Sequence, residues 1–196
     1  MKVHAKQLLL ASMLLALTSC ATAPPTNTAN SCAIFQQRGG LVNNWRDAAE
    51  RTQREFGVPV PVLMATIQAE SNFEQHARPA RTKLMGFIPW KRRSTAYGYA
   101  QALDGTWREY QKATSRPFAS RSNFSDAVHF VGWYHNNSNR RNGIARNDTY
   151  RLYLAYYHGH AGYARGNWRN NTRIQQAAQR TARMSDRYAA QLQNCR

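Results

Sequence analysis

Acidic residues are scarce in this 196-residue chain: there are ten, against 27 lysines and arginines, for a formal net charge of +17. Such a chain is expected to bind polyanions, or to carry an arginine-rich surface that is simply solvated. Cysteines are few as well. Cys20, Cys32 and Cys195 stand far apart, so the paired spacing of a zinc site is missing and no metal is expected. His158 and His160 flank Gly159, but no further ligands stand at suitable positions for them, and nothing marks His129 or His135. After residue 20 no apolar run is long enough to span a bilayer. No internal repeat is evident. No long alternating segment predicts a strand, and the periodicity is helical almost throughout.

The N-terminus carries an address. Lys2 and Lys6 form a charged start, and Leu8 to Leu17 is an apolar stretch of signal-peptide length. It ends in Leu17-Thr18-Ser19-Cys20, which resembles the lipobox of bacterial lipoproteins, in which the cysteine is lipidated. The alternative is an ordinary secretory signal cut near Ala21 or Ala23. Residue 21 is not Asp, which in the Gram-negative sorting pattern this resembles favours the outer membrane. Residues 1–19 are therefore expected to be a signal peptide. Residues 20–40 are expected to hold the lipidated Cys20 and a flexible tether, because ATAPPTNTANS at 21–31 is small, polar and proline-containing. Residues 41–196 are expected to form one domain, monomeric, at the periplasmic face of the outer membrane. Export argues against nucleic acid as the polyanion and leaves cell-wall polymers and phospholipid headgroups. In an oxidising periplasm Cys32 and Cys195 can pair, or they remain two free thiols.

Within the domain, Trp45, Ala48, Ala49, Thr52 and Phe56 follow helical spacing and Gly57 stops the helix. Pro61 is placed to open a second helix, to about residue 71, with a buried stripe of Leu63, Ile67 and Glu70. Residues 75–97 read as a long basic loop with room for a small hairpin, and its Trp90 either covers a cleft or tucks the loop down. A short helix is predicted over 106–114. Phe124-Ser125-Asp126 reads as staple and cap of the next, and Arg140-Arg141-Asn142-Gly143 as a turn. Asp148 or Thr149 caps a helix ending at Gly159, and a last helix covers about 172–192, burying Ile174, Ala178, Thr181, Tyr188 and Leu192. The fold class expected is all-α, or α+β at most.

Nine of the ten acids sit among polar neighbours or at helix starts. Glu70 does not: it falls within roughly 20° of Leu63 on the apolar face. A carboxylate there loses hydration, and the nearby helix C-terminus disfavours its charge. Both effects raise its pKa and make it a proton donor near neutrality. The plain alternative is a Glu paired with Arg78 or Arg81.

Three segments then carry a resemblance. Ala69-Glu70-Ser71-Asn72-Phe73 resembles the Glu-Ser motif of the soluble lytic transglycosylase family, lysozyme-like enzymes that cut peptidoglycan. Ala96-Tyr97-Gly98-Tyr99-Ala100-Gln101, followed by Thr106-Trp107, resembles its Gly-x-x-Gln motif, and Ala155-Tyr156-Tyr157-His158-Gly159 its Ala-Tyr-Asn-Ala-Gly motif. The order is the family's, and the resemblance covers about residues 43–192. It implies a lysozyme-like domain, no cofactor, and Glu70 as acid and then base. Ser71 would bond near the reacting sugar, and Gly98, Tyr99 and Gln101 would line the cleft. Tyr156 would sit close to Glu70, and Tyr188 on the last helix would complete the site. Tyr157 and His158 depart from the commonest motif, where Asn and Ala stand, so substrate fit there is expected to differ. Asp104 and Glu74 are the nearest second carboxylates. The stripe of Tyr150, Tyr153, Tyr156 and Tyr157 is core, or in part a surface for stacking sugars. A hydrolytic lysozyme on the same fold, a non-catalytic wall-binding lipoprotein and a nucleic-acid-binding protein are the competing functions.

Overall fold

The computed structural model describes residues 22–41, 43–85, 88–92 and 94–195. The expected signal peptide and Cys20 lie outside them, as do Gly86, Phe87 and the ring of Trp90. The described residues form seven helices and one two-stranded hairpin, in keeping with the all-α lysozyme-like class expected. None of these helices is long and apolar enough to cross a membrane.

Helix α1 (Ser31–Gln37) corrects the expected tether. Asn30 caps it, accepting from the Ala33 N–H at 3.0 Å, and Ile34 and Phe35 are buried in the core. Two apolar residues are too few to show periodicity, yet they suffice once a partner helix covers them. The segment before it is held too: the Thr22 N–H donates to Gln75 Oε1 at 2.7 Å and the Thr26 N–H to Gln37 Oε1 at 3.0 Å.

Helix α2 (Trp45–Phe56) follows the predicted pattern, capped by Asn44 and closed by Gly57 in the left-handed conformation. Helix α3 (Val60–Ser71) departs from it. Its residues from Val62 to Ile67 are buried consecutively, so the helix has no stripe there but is apolar all round, as a central helix must be. It packs against α2, α5 (Phe124–Asn142) and α7 (Thr172–Leu192). Fully buried His135 on α5 sits 2.9 Å from the Thr66 hydroxyl, one turn before Glu70. Burial pushes that imidazole down to about 3, so it stays neutral.

After α3 the chain turns sharply: Asn72 and Phe73 both have positive φ, 50° and 62°. Asn tolerates this conformation, but Phe does so at a cost. Burial offsets it, since Phe73 joins Trp45, Tyr99 and Phe124 in an aromatic cluster in which Trp45 and Phe124 stack at 3.8 Å. The loop that follows holds a hairpin, β1 (Arg81–Leu84) antiparallel to β2 (Ile88–Arg92), with an irregularity between Arg81 and Lys83.

Helix α4 (Asp104–Ala113) lies where a short helix was predicted. Two signals on α5 were misplaced. Its cap is Asn123, accepting from the Asp126 N–H at 3.2 Å, and Phe124 already lies inside the first turn. Arg140 and Arg141 are not a turn but the last helical turn, where cations suit the dipole, and only Gly143 leaves the helix. Asp148 caps α6 (Thr149–Ala164). At Gly159 φ is 71° and ψ 158°, a conformation only glycine adopts readily, so the helix breaks there and resumes for one turn. Helix α7 runs back along α3, α6 and α1. Cys32 and Cys195 form a disulfide that closes the chain on itself, with Cα atoms 5.5 Å apart.

Candidate active site

Glu70 lies on the last turn of α3, half-buried. Burial pushes its carboxyl up from the ordinary 4.5 to about 7, partly opposed by the Tyr153 hydroxyl, which donates a hydrogen bond to it. The hydroxyl of Tyr153 is in turn held firmly protonated by burial and by the charge of Glu70. Tyr153 is the residue that sequence reasoning missed. A signal existed: it stands three residues before Tyr156 on α6, and residues at that spacing share a helix face.

Tyr156 reaches the same centre. It is held well above its ordinary value by burial and then by the negative charge of Glu70. Its hydroxyl donates to the Ala100 carbonyl at 2.5 Å, which ties α6 to the turn between Tyr97 and Ala102. That turn is built by Gly98, with φ 74° and its N–H on the Ala77 carbonyl at 3.0 Å. Any Cβ there would overlap the Arg121 backbone. Gln101, itself at φ 46°, donates from its amide to the Ala77 and Gly98 carbonyls at 2.9 and 2.8 Å. A cleft of about 240 Å³ opens here, lined by Gln101, Thr106, Tyr134, Tyr156, Tyr157 and His158. Gln101 and Tyr156 are thus brought to one cleft, and Tyr156 links it to Glu70. The Ser71 hydroxyl donates back to the Ile67 carbonyl at 3.3 Å and keeps its lone pairs as acceptors.

Two expected site residues are elsewhere. Tyr99 is buried among Trp45 and Phe124, because the residue after the Gly98 turn points inward; burial pushes its hydroxyl up to about 12. Tyr188 is wholly buried on α7, and its hydroxyl donates to the Thr28 carbonyl. It anchors the segment before α1 and does not complete the site.

The nearest acids in sequence are otherwise engaged. Asp104 is paired with Arg121 at 2.7 Å, and Glu74 is exposed. Among the described residues no group of three or more His, Cys, Asp or Glu is arranged to hold a metal. A larger cavity of about 500 Å³, between α1, α2 and α7, is lined by Phe35, Glu50 and Leu192 and does not include Glu70. Its size alone does not outweigh the perturbed carboxyl that Tyr156 joins to the smaller cleft.

The arrangement at Glu70 can deliver a proton at neutral pH and take one back. A family model described as transglycosylase SLT domain matches residues 8–195. No curated protein matches the chain.

Proposed function

The chain belongs to the transglycosylase SLT domain family, and from that premise we propose that it is a peptidoglycan lytic transglycosylase with Glu70 as its acid and base. The observation that carries this proposal is a carboxyl raised to about 7 beside Tyr153 and Tyr156, the second of which also lines the cleft with Gln101.

In the proposed reaction, protonated Glu70 gives its proton to the oxygen between N-acetylmuramic acid and N-acetylglucosamine as that bond breaks. The oxygen of the substrate's own N-acetyl group supports the positive charge developing at C1. Glu70, now ionised, takes the proton of the C6 hydroxyl, and that oxygen bonds to C1. The products are an N-acetylglucosamine end and a 1,6-anhydro end, with no water consumed and the proton back on Glu70. A mechanism with one carboxyl suits a site whose neighbouring acids are engaged or exposed, whereas most glycosidases need a second carboxylate across the bond.

Mass spectrometry of digested peptidoglycan tests this. Muropeptides one water lighter than hydrolysis products are expected. Reducing-end products would make the protein a lysozyme on the same fold, and no products at all would make it a binding protein. The setting we propose is the periplasmic face of the outer membrane, reached through a signal peptide over 1–19 and a lipid on Cys20.

Tyr153 sets the pH range of the proton donor. Its hydrogen bond favours the ionised carboxylate, so Tyr153→Phe is expected to move the alkaline limb of kcat/KM to higher pH. A limb that stays in place would remove Tyr153 from the site.

A further inference from the structure

The longest helix carries a row of arginines that the fold does not neutralise. Burial of Ile174, Ala178, Thr181, Ser185 and Tyr188 sets the inward face of α7. Arg173, Arg180 and Arg187 recur at seven-residue intervals, so each is displaced by only about 20° round the helix from the last and by about 10 Å along it. Arg183 stands one turn from Arg180. All four are exposed, and none is in an ion pair among the described residues. The helix has a single acid, Asp186.

The row does not face away from the chemistry. Ala177, one turn before Arg180, packs against the cluster that contains Tyr153. The charge of Arg180 is felt at the Tyr153 hydroxyl, and that hydroxyl bonds to Glu70. Arg180 therefore stands at the α6–α7 border on the side of Tyr153, and the row extends from it along α7 in both directions. Arg183 repels Arg180 and Arg187, which stand three and four residues from it. A solvated surface has no need of such alignment, whereas an extended anionic ligand supplies the missing counter-charge.

We propose that Arg173, Arg180, Arg183 and Arg187 bind the carboxylates of the peptide stems carried by the glycan strand, so that the enzyme selects stem-bearing over naked glycan. This rests on the peptidoglycan substrate proposed above. Stems hang from muramic acid once per disaccharide and carry free carboxylates. Guanidinium groups take carboxylates in a two-pronged geometry, and the interval along the row is comparable with the length of a β-1,4-linked disaccharide.

The test measures affinity of the full chain carrying Glu70→Gln, so that the ligand stays uncut. The probes are labelled glycan oligomers with stems and the same oligomers stripped of stems by an amidase. Fluorescence anisotropy at low salt is expected to give at least tenfold tighter binding to the stem-bearing form, with the ratio shrinking as salt rises. Combining Arg173→Gln, Arg180→Gln and Arg187→Gln is expected to bring the ratio near one. Arg51→Gln with Arg54→Gln, which removes exposed charge from α2 instead, is expected to keep it. Equal affinity for both oligomers, binding to neither, or equal loss of the ratio in both variants would overturn the proposal. Cleavage by the wild-type chain is followed in parallel. Selective binding without any cleavage would defeat the catalytic assignment and leave the arginine row standing.

Discussion

Glu70→Gln is expected to lower glycan cleavage roughly a thousandfold and to raise the stability of the protein at pH 8. The two effects share one cause. The carboxyl titrates at its ordinary 4.5 when the chain is unfolded and at about 7 in the fold. Between those values the native state holds a proton that the unfolded state has released. The native state is therefore favoured below the lower value and loses that advantage as pH rises through the upper one. Allowing for the residual exposure of Glu70, the penalty at pH 8 is about 1–3 kcal/mol. Glutamine removes it, so Tm should rise by a few degrees at pH 8 and change little at pH 5. For the wild type, kcat/KM should fall as pH passes about 7, because the donor must be protonated. Thermal melts at both pH values, beside product analysis, check this. Persistent cleavage by the glutamine variant would sink the catalytic assignment, and a Tm gain independent of pH would show that the carboxyl is not desolvated.

Reduction of the disulfide is expected to produce the largest loss of stability. Cys32 and Cys195 are 163 residues apart, and cross-linking so long a loop removes about 3–5 kcal/mol of freedom from the unfolded chain. For a domain of this size that corresponds to roughly a 10 °C fall in Tm. The native contacts at the bridge are modest: the Ser31 N–H on Gln191 Oε1 at 2.8 Å, the Gln191 amide on the Ala29 carbonyl, and Tyr188 on Thr28. Cys32→Ser should therefore release α1 from α7 before the rest of the fold. Differential scanning calorimetry with and without reductant measures the effect. An unchanged Tm would mean that the unfolded chain is already restrained by other means.

How far each feature was legible depended on whether its cause was local. Gly57 closes a helix because of its own backbone freedom, and the Asp148 cap and the start of α3 beside Pro61 follow from side chains within one turn. The two capping errors on α5 were local as well. Asn, Phe, Ser and Asp at 123–126 offer more than one competent start, and only the packing of Phe124 selects Asn123. Glu70 stood out because ionised carboxylates are rare at apolar positions, even though the stripe that pointed to it dissolves into a helix buried nearly all round.

By itself, the sequence determined the helical class, most helix ends, the anomalous carboxylate and the order of the three motifs. These depend on spacing along the chain and on the chemistry of single residues. Tertiary structure alone decided the rest. It made residues 31–37 part of the core, and sent Tyr99 inward while bringing Tyr153 to Glu70. It also set Arg180 of α7 on the side of Tyr153. Each of these turns on which helix covers which face, and contacts between residues far apart in sequence set that, so no local pattern encodes it.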